Sequence, residues 1–234
     1  MIHYHGLPIT PATAAVKAVE AGHAFVSFNH SDQLHIAVDV CQSFALDNGA
    51  FSAWRSGNPV TDWAPFYAWA EQCRNIPGCD FAVIPDVIDG GELSNDFLVM
   101  DCPLPKHFAA PVWHMHESID RLVRLANEYP RVCLGSSGDY STPGAEGWWI
   151  RMREALSEIC VDGLPITKLH GLRMLNPAVF TKLPLSSADS TNIGRNIGID
   201  SAWKGTYTPP TKEARAQVMR SRIESHNSLS KWTP

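Results

Sequence analysis

The 234-residue chain lacks several motifs that would assign it quickly to a protein class. No two of its cysteines form a C-x-x-C pair, which argues against the usual structural zinc site. Neither G-x-G-x-x-G nor G-x-x-x-x-G-K-[ST] occurs, so the dinucleotide and P-loop signatures are missing. No apolar run approaches about 18 residues, and no basic-then-apolar leader opens the chain. We therefore expect a soluble protein without a membrane anchor.

The composition is that of an ordinary globular protein, with 44% hydrophobic and 18% charged residues. One large domain with a substantial core is the natural expectation at this length. Several of the six cysteines stand in apolar runs, which favours reduced, mostly buried thiols and a cytoplasmic location. They are Cys41, Cys73, Cys79, Cys102, Cys133 and Cys160.

Short, nearly continuous apolar runs recur along the chain, as strands buried on both faces should. Helix-like segments separate them, and this alternation predicts parallel pairing with right-handed crossovers. The eight predicted strands are Ile2–His5, Ala24–Phe28, Ser43–Leu46, Phe81–Ile84, Pro111–His114, Val132–Leu134, Thr167–Leu172 and Pro184–Ser187. The predicted helices lie between Thr10 and Gly22, at Asp62–Asn75, Glu117–Glu128 and Glu146–Cys160, after Asn176, and within Pro209–Asn227.

Eight such strands predict an α/β fold, a (β/α)8 TIM barrel over residues 1–202, with a C-terminal helical extension at 203–234. A doubly wound open sheet is the alternative fold. The extension holds six basic residues against two acidic ones, whereas the whole chain carries a net charge of −5. A basic tail on an acidic body can contact a phosphate backbone, although the charge alone favours a solvated helix face.

Polar residues follow most of the predicted strands, where the reactive groups of such barrels lie. Aspartates stand at three of these strand ends, at Asp47, Asp86 and Asp189. An aspartate in this place is often only a turn former, but three of them at converging strand ends predict one shared acidic cavity. The stretches His3-x-His5, His114-x-His116, Gly135–Asp139 and His170-Gly171 end other strands.

These motifs together resemble those of the tRNA-guanine transglycosylases. The run Leu46–Ser52 is similar to that family's D-S-G-[GA]-[FY]-Q segment. Pro85-Asp86, Leu134–Gly138, Leu169–Leu172 and Ser187–Thr191 follow in the family's order. The resemblance covers about residues 2–195 and is closest to the short, often phage-encoded relatives that place 7-deazaguanine bases in DNA.

The resemblance implies a double displacement through a covalent glycosyl-enzyme intermediate, as in retaining glycosidases. It makes Asp189 the nucleophile and Asp47 the acid/base, with no cofactor. It implies base contacts by Asp86, by the backbone near Gly135 and Ser136, and by stacking between Phe51 and His170. His114 and Gly171 complete the predicted base site, and Arg195, Lys204, Lys212 and Arg215 are predicted nucleic-acid contacts.

The chain departs from the family in four places. It has no cysteine after Cys160, so the family's C-terminal zinc site is absent. His114–His116 stands where a glutamine is usual, Ser136 replaces a glycine, and His170 replaces a methionine. The missing zinc lobe favours DNA over tRNA as the substrate. The implied partners are a flipped-out or single-stranded nucleotide and a free base such as preQ0 or preQ1, with a homodimer or partner protein possible.

Three other readings remain open at this stage. His3, His5, His170 and Asp189 have the residue types of a metal-dependent barrel hydrolase. The fold can also serve a non-catalytic nucleic-acid-binding module. Finally, the adjacent Trp148 and Trp149 cannot share one helix face, so one of them can form a contact patch in an assembly protein.

Overall fold

The computed structural model describes residues 1–233, and within them strands and helices alternate along the chain. The strands that form the main sheet are β1 (Ile2–Leu7), β2 (His23–Ser27), β3 (Ser43–Asp47), β4 (Cys79–Val83), β5 (Ala109–Ala110), β6 (Val112–His114) and β7 (Arg131–Gly135). A small antiparallel hairpin of β8 (Cys160–Val161) and β9 (Leu164–Pro165) follows, and then β10 (Lys168–Gly171) and β11 (Ser187–Ser190) return to the main sheet.

The main sheet has nine strands in the order β5-β4-β3-β2-β1-β11-β10-β7-β6, and each neighbouring pair is parallel. Its two end strands, β5 and β6, are separated in the chain only by Pro111. The Pro111 carbonyl accepts a hydrogen bond from Cys133 N at 2.8 Å, and the Ala110 carbonyl accepts one from Ile84 N at 2.9 Å. The sheet is therefore nearly closed and barrel-like.

Alternate residues of the strands face opposite sides of this sheet, as the pleat requires. Those facing inward form a separate cluster that contains no helix residue: Tyr4, Phe25, Ala45, Phe81, Val83, Ala110, Val112 and Cys133. Their neighbours in sequence, such as Ala24, Phe44 and Val132, pack against the surrounding helices in the larger core cluster. This alternation decides which polar side chains reach the inside of the barrel.

The helices lie outside the sheet and mostly connect one strand to the next. They are α1 (Ala12–Val19), α2 (Leu34–Val40), α3 (Ala50–Arg55), α4 (Ala64–Cys73), α5 (Glu92–Met100), α6 (Ile119–Glu128), α7 (Glu146–Ile159), α8 (Pro177–Phe180), α9 (Asn192–Asn196) and α10 (Lys212–Glu224). Short 3-10 turns occupy Phe28–Gln33, Gly138–Tyr140 and Asp200–Trp203. In the described part of the chain, no helix combines the length and the apolar character that a membrane crossing requires.

The C-terminal helix α10 packs along α1. Glu213, at its start, contacts Thr13 near the start of α1, and the Arg220 Nη1 donates to the Glu20 carbonyl at 2.6 Å. The two helices therefore run in the same direction, and the first turn of α10 lies at the carboxyl end of the barrel strands. Glu224 also reaches the buried His5, whose Nε2 lies 3.1 Å from Glu224 Oε1.

The structure confirms the predicted α/β class with a parallel, barrel-like sheet, and each predicted strand overlaps an observed one. The last strand is misplaced, because β11 begins at Ser187, where the predicted strand ended. The preceding Leu183 and Leu185 are apolar because they are buried in the core ahead of the strand. Helices α2, α3, α5 and α9 and the β8–β9 hairpin were not predicted. All six cysteines are free; two are buried and four are partly buried, so the thiols are less buried than expected.

Candidate active site

A cavity of about 220 Å³ opens at the carboxyl ends of the barrel strands. Its wall includes all three predicted aspartates, one each from β3, from the loop after β4 and from β11. Typical clefts for drug-sized ligands are about 300–1,000 Å³, so this space suits one small ring system rather than a dinucleotide. The cavity is thus small and formed by several strands, and its wall carries Arg55, Arg173 and Arg195 beside the three aspartates.

Asp47 is the last residue of β3 and points inward, two residues beyond the inward-facing Ala45. The chain then turns through Asn48 and Gly49 into α3. The Asn48 Oδ1 accepts a hydrogen bond from Ala50 N at 2.7 Å and so caps the start of α3. Gly49 has φ +79°, a conformation that side chains other than glycine rarely adopt. This turn places Phe51, in the first turn of α3, on the cavity wall.

The pKa of the Asp47 carboxyl is raised to about 7. Burial is the largest cause, and the nearby negative charges of Asp189 and Asp86 act in the same direction. Loss of hydration disfavours the charged form, and like charges add to the effect. A carboxyl with this pKa exchanges its proton near neutral pH. Asp47 is therefore suited to general acid/base chemistry, in which the group must both donate and accept a proton.

Asn48 holds Asp86 at the cavity wall by a hydrogen bond, and His114 lies close beside it without one. The Asn48 Nδ2 donates to Asp86 Oδ1 at 3.0 Å and also to the Ile84 carbonyl at 3.0 Å, which ties the end of β3 to the end of β4. The His114 Nε2 lies 3.0 Å from Asp86 Oδ2. Both side chains are buried, at 9% and 3% exposure. Asp86 therefore presents a fixed, acceptor-rich edge to the cavity when it is ionised.

Asp189 faces the same space from β11. Its Oδ1 accepts a hydrogen bond from Arg173 N at 2.9 Å and lies 3.4 Å from the His170 Nε2. The His170 Nδ1 in turn lies 2.8 Å from Ser187 Oγ, two residues earlier on β11. Burial lowers the pKa of His170, although Asp189 opposes this shift. His170 therefore lies next to Asp189, but its Nε2 makes no hydrogen bond within the described residues.

The turn after β7 forms another part of the cavity wall. A Cβ on Gly135 would stand 3.2 Å from His114 Nδ1, so glycine leaves room for that ring. The Ser136 Oγ accepts a hydrogen bond from Trp148 Nε1 at 2.9 Å, which anchors the turn to α7. None of the hydrogen bonds among residues 1–233 uses the Ser136 N–H. A ligand oxygen in the cavity can accept from that group.

Most of the predicted site residues line this cavity: Asp47, Phe51, Asp86, His114, Gly135, Ser136, Asp189 and Arg195. His170 and Gly171 do not. His170 is fully buried below the cavity, where it packs against Tyr4, Phe25 and Phe81, so it is not positioned to stack on a ligand. Gly171 is also buried, and a Cβ there would meet Met174 at 2.9 Å.

The predicted nucleic-acid contacts separate into two groups. Lys204 and Lys212 are exposed, and within the described residues neither side-chain ammonium group makes a hydrogen bond or an ion pair. Arg215, by contrast, donates to the carbonyls of Pro209 and Ile197 and pairs with Asp200 Oδ1 at 2.9 Å. Its donors are used to hold the C-terminal extension together, so the geometry does not support a phosphate contact for Arg215.

The four residues of the hydrolase alternative do not converge. His3 and His5 point outward from β1, because the residue between them, Tyr4, points into the barrel. His3 Nε2 lies 3.0 Å from the His226 carbonyl, and His5 pairs with Glu224. Across residues 1–233, no three His, Cys, Asp or Glu side chains are arranged to hold a metal ion. Of the two adjacent tryptophans, Trp148 is fully buried and Trp149 is partly buried, so only Trp149 can take part in a contact patch.

Sequence reasoning missed Arg173, Arg55, Leu172 and the bridging role of Asn48, all of which are at the cavity. Arg173 adopts φ +58°, which no sequence pattern indicates for an arginine. Arg55 belongs to α3, a helix too short to show a periodic pattern. Only Asn48 carried a signal, because an Asx residue just after a strand is a common turn and cap former.

Comparisons of the chain with protein-family models, with curated proteins and with solved structures found no match. The fold and the site together define a class of protein: an α/β barrel-like chain with a small cavity, lined by three aspartates, at the carboxyl ends of its strands. The function beyond that class is argued from the cavity itself.

Proposed function

We propose that this protein is a transglycosylase that exchanges guanine in DNA for a 7-deazaguanine base. The observation that carries the proposal is the convergence of Asp47, Asp86 and Asp189 on one small cavity, with the Phe51 ring on its wall. A flat, nitrogen-rich base needs a stacking face and hydrogen-bond acceptors, and a glycosyl transfer needs a carboxylate pair. This cavity has all of these groups.

In the first step, a carboxylate oxygen of Asp189 attacks C1′ as the bond from C1′ to the base N9 breaks. The departing guanine takes a proton from Asp47, whose pKa of about 7 allows it to be protonated at neutral pH. In the second step, Asp47 removes the N9 proton of the incoming base. That nitrogen then displaces Asp189 from C1′, with retention of configuration.

Base recognition falls to the side of the cavity opposite the sugar. Ionised Asp86 accepts hydrogen bonds from the N1–H and 2-amino group, and its hydrogen bond from Asn48 keeps it in place. The Ser136 N–H donates to O6, and Phe51 stacks on one face of the ring. His170 lies next to Asp189 rather than stacking, which revises the role that the resemblance implied for it.

We also infer that the nearly closed sheet is a (β/α)8 barrel in which β5 and β6 are two parts of one strand. The main-chain bonds on either side of Pro111 support this, because each part pairs with a different neighbour. A proline lacks the N–H that a ladder needs, so it is a natural point of interruption. The cavity then occupies the usual active-site end of such a barrel.

DNA is the substrate that we favour, with tRNA as the alternative outcome of the test. Arg55, Arg173 and Arg195 line the mouth of the cavity, and Lys212 lies at the same end of the barrel. Such charges suit a phosphate backbone, and the target nucleotide must leave the stack to reach the cavity. The incoming base is of the preQ0 or preQ1 type.

The test is base exchange with radiolabelled guanine. Purified protein is incubated with labelled guanine and either duplex DNA, single-stranded DNA or tRNA, and label retained in polymer is counted. Label that enters DNA but not tRNA supports the proposal, and label that enters tRNA alone changes the substrate but keeps the chemistry. No label in any polymer, with a folded protein that also fails to bind guanine, contradicts the proposed function.

A further inference from the structure

Arg173 stands between the active-site cavity and a second, more open cavity of about 630 Å³. The two cavities share four wall residues: Phe51, Ile88, Ser136 and Arg173. The Arg173 side chain is thus part of a thin partition rather than of the barrel core.

The guanidinium of Arg173 lies over the Phe51 ring, on which the proposed base stacks. Its central carbon is 3.8 Å from the centre of the Phe51 ring. A guanidinium is planar and stacks well on aromatic faces, as a heterocyclic base does. In the ligand-free protein, Arg173 therefore occupies the stacking face that the cavity offers to a planar ligand.

The main chain of Arg173 is fixed while its side chain is held weakly. The N–H donates to Asp189 Oδ1 at 2.9 Å, which anchors the backbone at the reactive carboxylate. The side chain makes one long hydrogen bond, from Nη2 to the Ser136 carbonyl at 3.4 Å. The residue is exposed overall, and no carboxylate lies within ion-pair distance of its guanidinium among the described residues. The negative charges of Asp189 and Asp86 attract the guanidinium from farther away, and the positive charges of Arg195 and Arg55 oppose this attraction.

A second arginine–phenylalanine contact in the same barrel differs from this one in the hydrogen bonds that hold its guanidinium. The Arg131 guanidinium lies 3.9 Å from the Phe81 ring centre, nearly the same separation. Arg131, however, is buried and donates two hydrogen bonds to Asp80, at 2.9 and 3.3 Å. Arg173 has no carboxylate partner for its guanidinium within residues 1–233, so its stack is the exchangeable one.

We propose that Arg173 is an exchangeable gate, which covers Phe51 in the free protein and leaves when a planar base stacks there. The displaced guanidinium then binds a phosphate next to the flipped nucleotide, beside Arg55 and Arg195. This inference rests on the proposed function and deepens it: the site selects a base that is attached to a phosphate-bearing strand. A free base must displace the gate without the phosphate contact that compensates for the lost stack.

Two substitutions separate the two parts of this inference. Arg173→Ala removes both the stack and the charge, so guanine should bind about two- to fivefold more tightly, the worth of an exposed cation–π contact. A single-stranded oligodeoxynucleotide should bind about tenfold more weakly, because a phosphate contact is lost. Arg173→Lys keeps a point charge without the planar stack, so it should keep the gain for guanine and most of the oligonucleotide affinity.

The measurements are equilibrium dialysis with labelled guanine and fluorescence anisotropy with a labelled oligodeoxynucleotide, on folded protein checked by thermal melting. Arg55→Ala is the matched control, since Arg55 lines the cavity without stacking on Phe51, and it should weaken oligonucleotide binding alone. A wild-type protein that exchanges guanine, with an Arg173→Ala variant that binds guanine no better, overturns the gate alone. A wild-type protein that neither exchanges nor binds guanine overturns the proposed function and the gate together.

Discussion

The two ends of the barrel interior hold carboxylates in opposite electrostatic surroundings. At the amino ends of the strands, Asp80 accepts hydrogen bonds from Tyr4 Oη at 2.6 Å and from Arg131 Nη1 at 2.9 Å. At the carboxyl ends, Asp47 has two other aspartates near it, and within residues 1–233 no arginine or lysine forms an ion pair with it. The same residue type thus meets a cation at one end and like charges at the other.

The pKa values of the two carboxyls diverge accordingly. Burial acts to raise the pKa of Asp80, but the hydrogen bonds from Arg131 and Tyr4 outweigh it and hold the pKa below its ordinary value. Burial and the neighbouring aspartates raise the pKa of Asp47 to about 7. A paired carboxylate stabilises the fold, whereas an unpaired one at a cavity costs stability and is retained for chemistry. Burial of charge alone does not distinguish these two uses; the partners do.

The largest expected effect is on guanine exchange, at the carboxyl ends of the strands. Asp189→Asn should lower guanine exchange by about a thousandfold or more, because an amide cannot form the glycosyl ester. The melting temperature should change little, since Asn can still accept the hydrogen bond from Arg173 N through its amide oxygen. Initial rates of label incorporation and thermal melting measure the two quantities.

Asp139→Asn is the matched control for this variant. Asp139 is exposed and lines the second cavity but not the active-site cavity, so its loss should leave exchange within about twofold of wild type. Normal exchange by the Asp189→Asn variant would contradict the nucleophile assignment. The carboxylates at the carboxyl ends of the strands would then no longer differ from Asp80 in having a chemical role.

At the amino ends of the strands, a substitution should change the free energy of unfolding rather than the rate of exchange. Asp80→Asn leaves the Arg131 guanidinium without its carboxylate, in a side chain that is only 10% exposed. Breaking a fully buried pair costs about 3–5 kcal/mol, and the 29% exposure of Asp80 reduces this to about 2–3 kcal/mol in the free energy of unfolding. Urea unfolding at pH 7 measures it.

The comparison for Asp80 is Glu128→Gln, which removes an exposed ion pair with Lys106 at 3.5 Å. That change should cost less than about 1 kcal/mol. Guanine exchange per folded molecule should stay near wild type in both variants. A variant Asp80→Asn that is stable but inactive would place function at the wrong end of the barrel.

The pH dependence of stability should have opposite signs at the two ends. Between about pH 4 and pH 7, folded Asp47 keeps a proton that the unfolded chain has already released, so its carboxyl lowers stability as the pH rises. Asp47→Asn removes this effect. Its advantage over wild type should grow through that window to about 2 kcal/mol at pH 8, half of the ~4 kcal/mol for a three-unit shift, because the carboxyl is partly exposed.

For Asp80 the sign reverses. Its lowered pKa contributes stability that is present above the ordinary value near 3.9 and is lost as the pH falls below it. Unfolding midpoints at pH values from 3 to 8 for wild type and both Asn variants test the two slopes together. Parallel curves for wild type and Asp47→Asn would mean that Asp47 titrates normally, and its acid/base role would lose its support.

The main strands and the three aspartates could be predicted because they depend on local patterns. Buried parallel strands are continuously apolar, and polar residues at their ends share one side of the sheet. That reasoning identified Asp47, Asp86 and Asp189 without any contact information. The shift of β11 shows its limit, since the buried loop residue Leu185 is as apolar as a strand residue.

What could not be predicted depends on direction and on long-range packing. A one-residue offset decides whether a strand residue faces in or out, and so His5 contacts α10 rather than the cavity. His170 faces inward but lies one layer too deep to reach a ligand. Arg173 reaches Phe51 only because its backbone adopts φ +58° after β10. None of these facts is local to a sequence motif.

The smallest expected effect concerns charges outside the barrel, and it separates attraction from chemistry. Lys212 is exposed in the first turn of α10 at the carboxyl end of the strands, and Lys204 is exposed shortly before it. If each contacts one phosphate, the double change Lys204→Ala and Lys212→Ala should make the slope of log affinity against log salt shallower by about 1.8. The rate of exchange at saturating DNA should not change.

The lysines near the amino ends of the strands provide the control. Lys106 is exposed and pairs with Glu128, and the half-buried Lys17 pairs with Glu20. Replacing both lysines by alanine removes the same formal charge at the other end of the molecule. Anisotropy titrations at 50 to 200 mM salt compare the two double variants. Equal changes in slope would mean that DNA senses only net charge, and a specific approach to the carboxyl end would then lose its electrostatic basis.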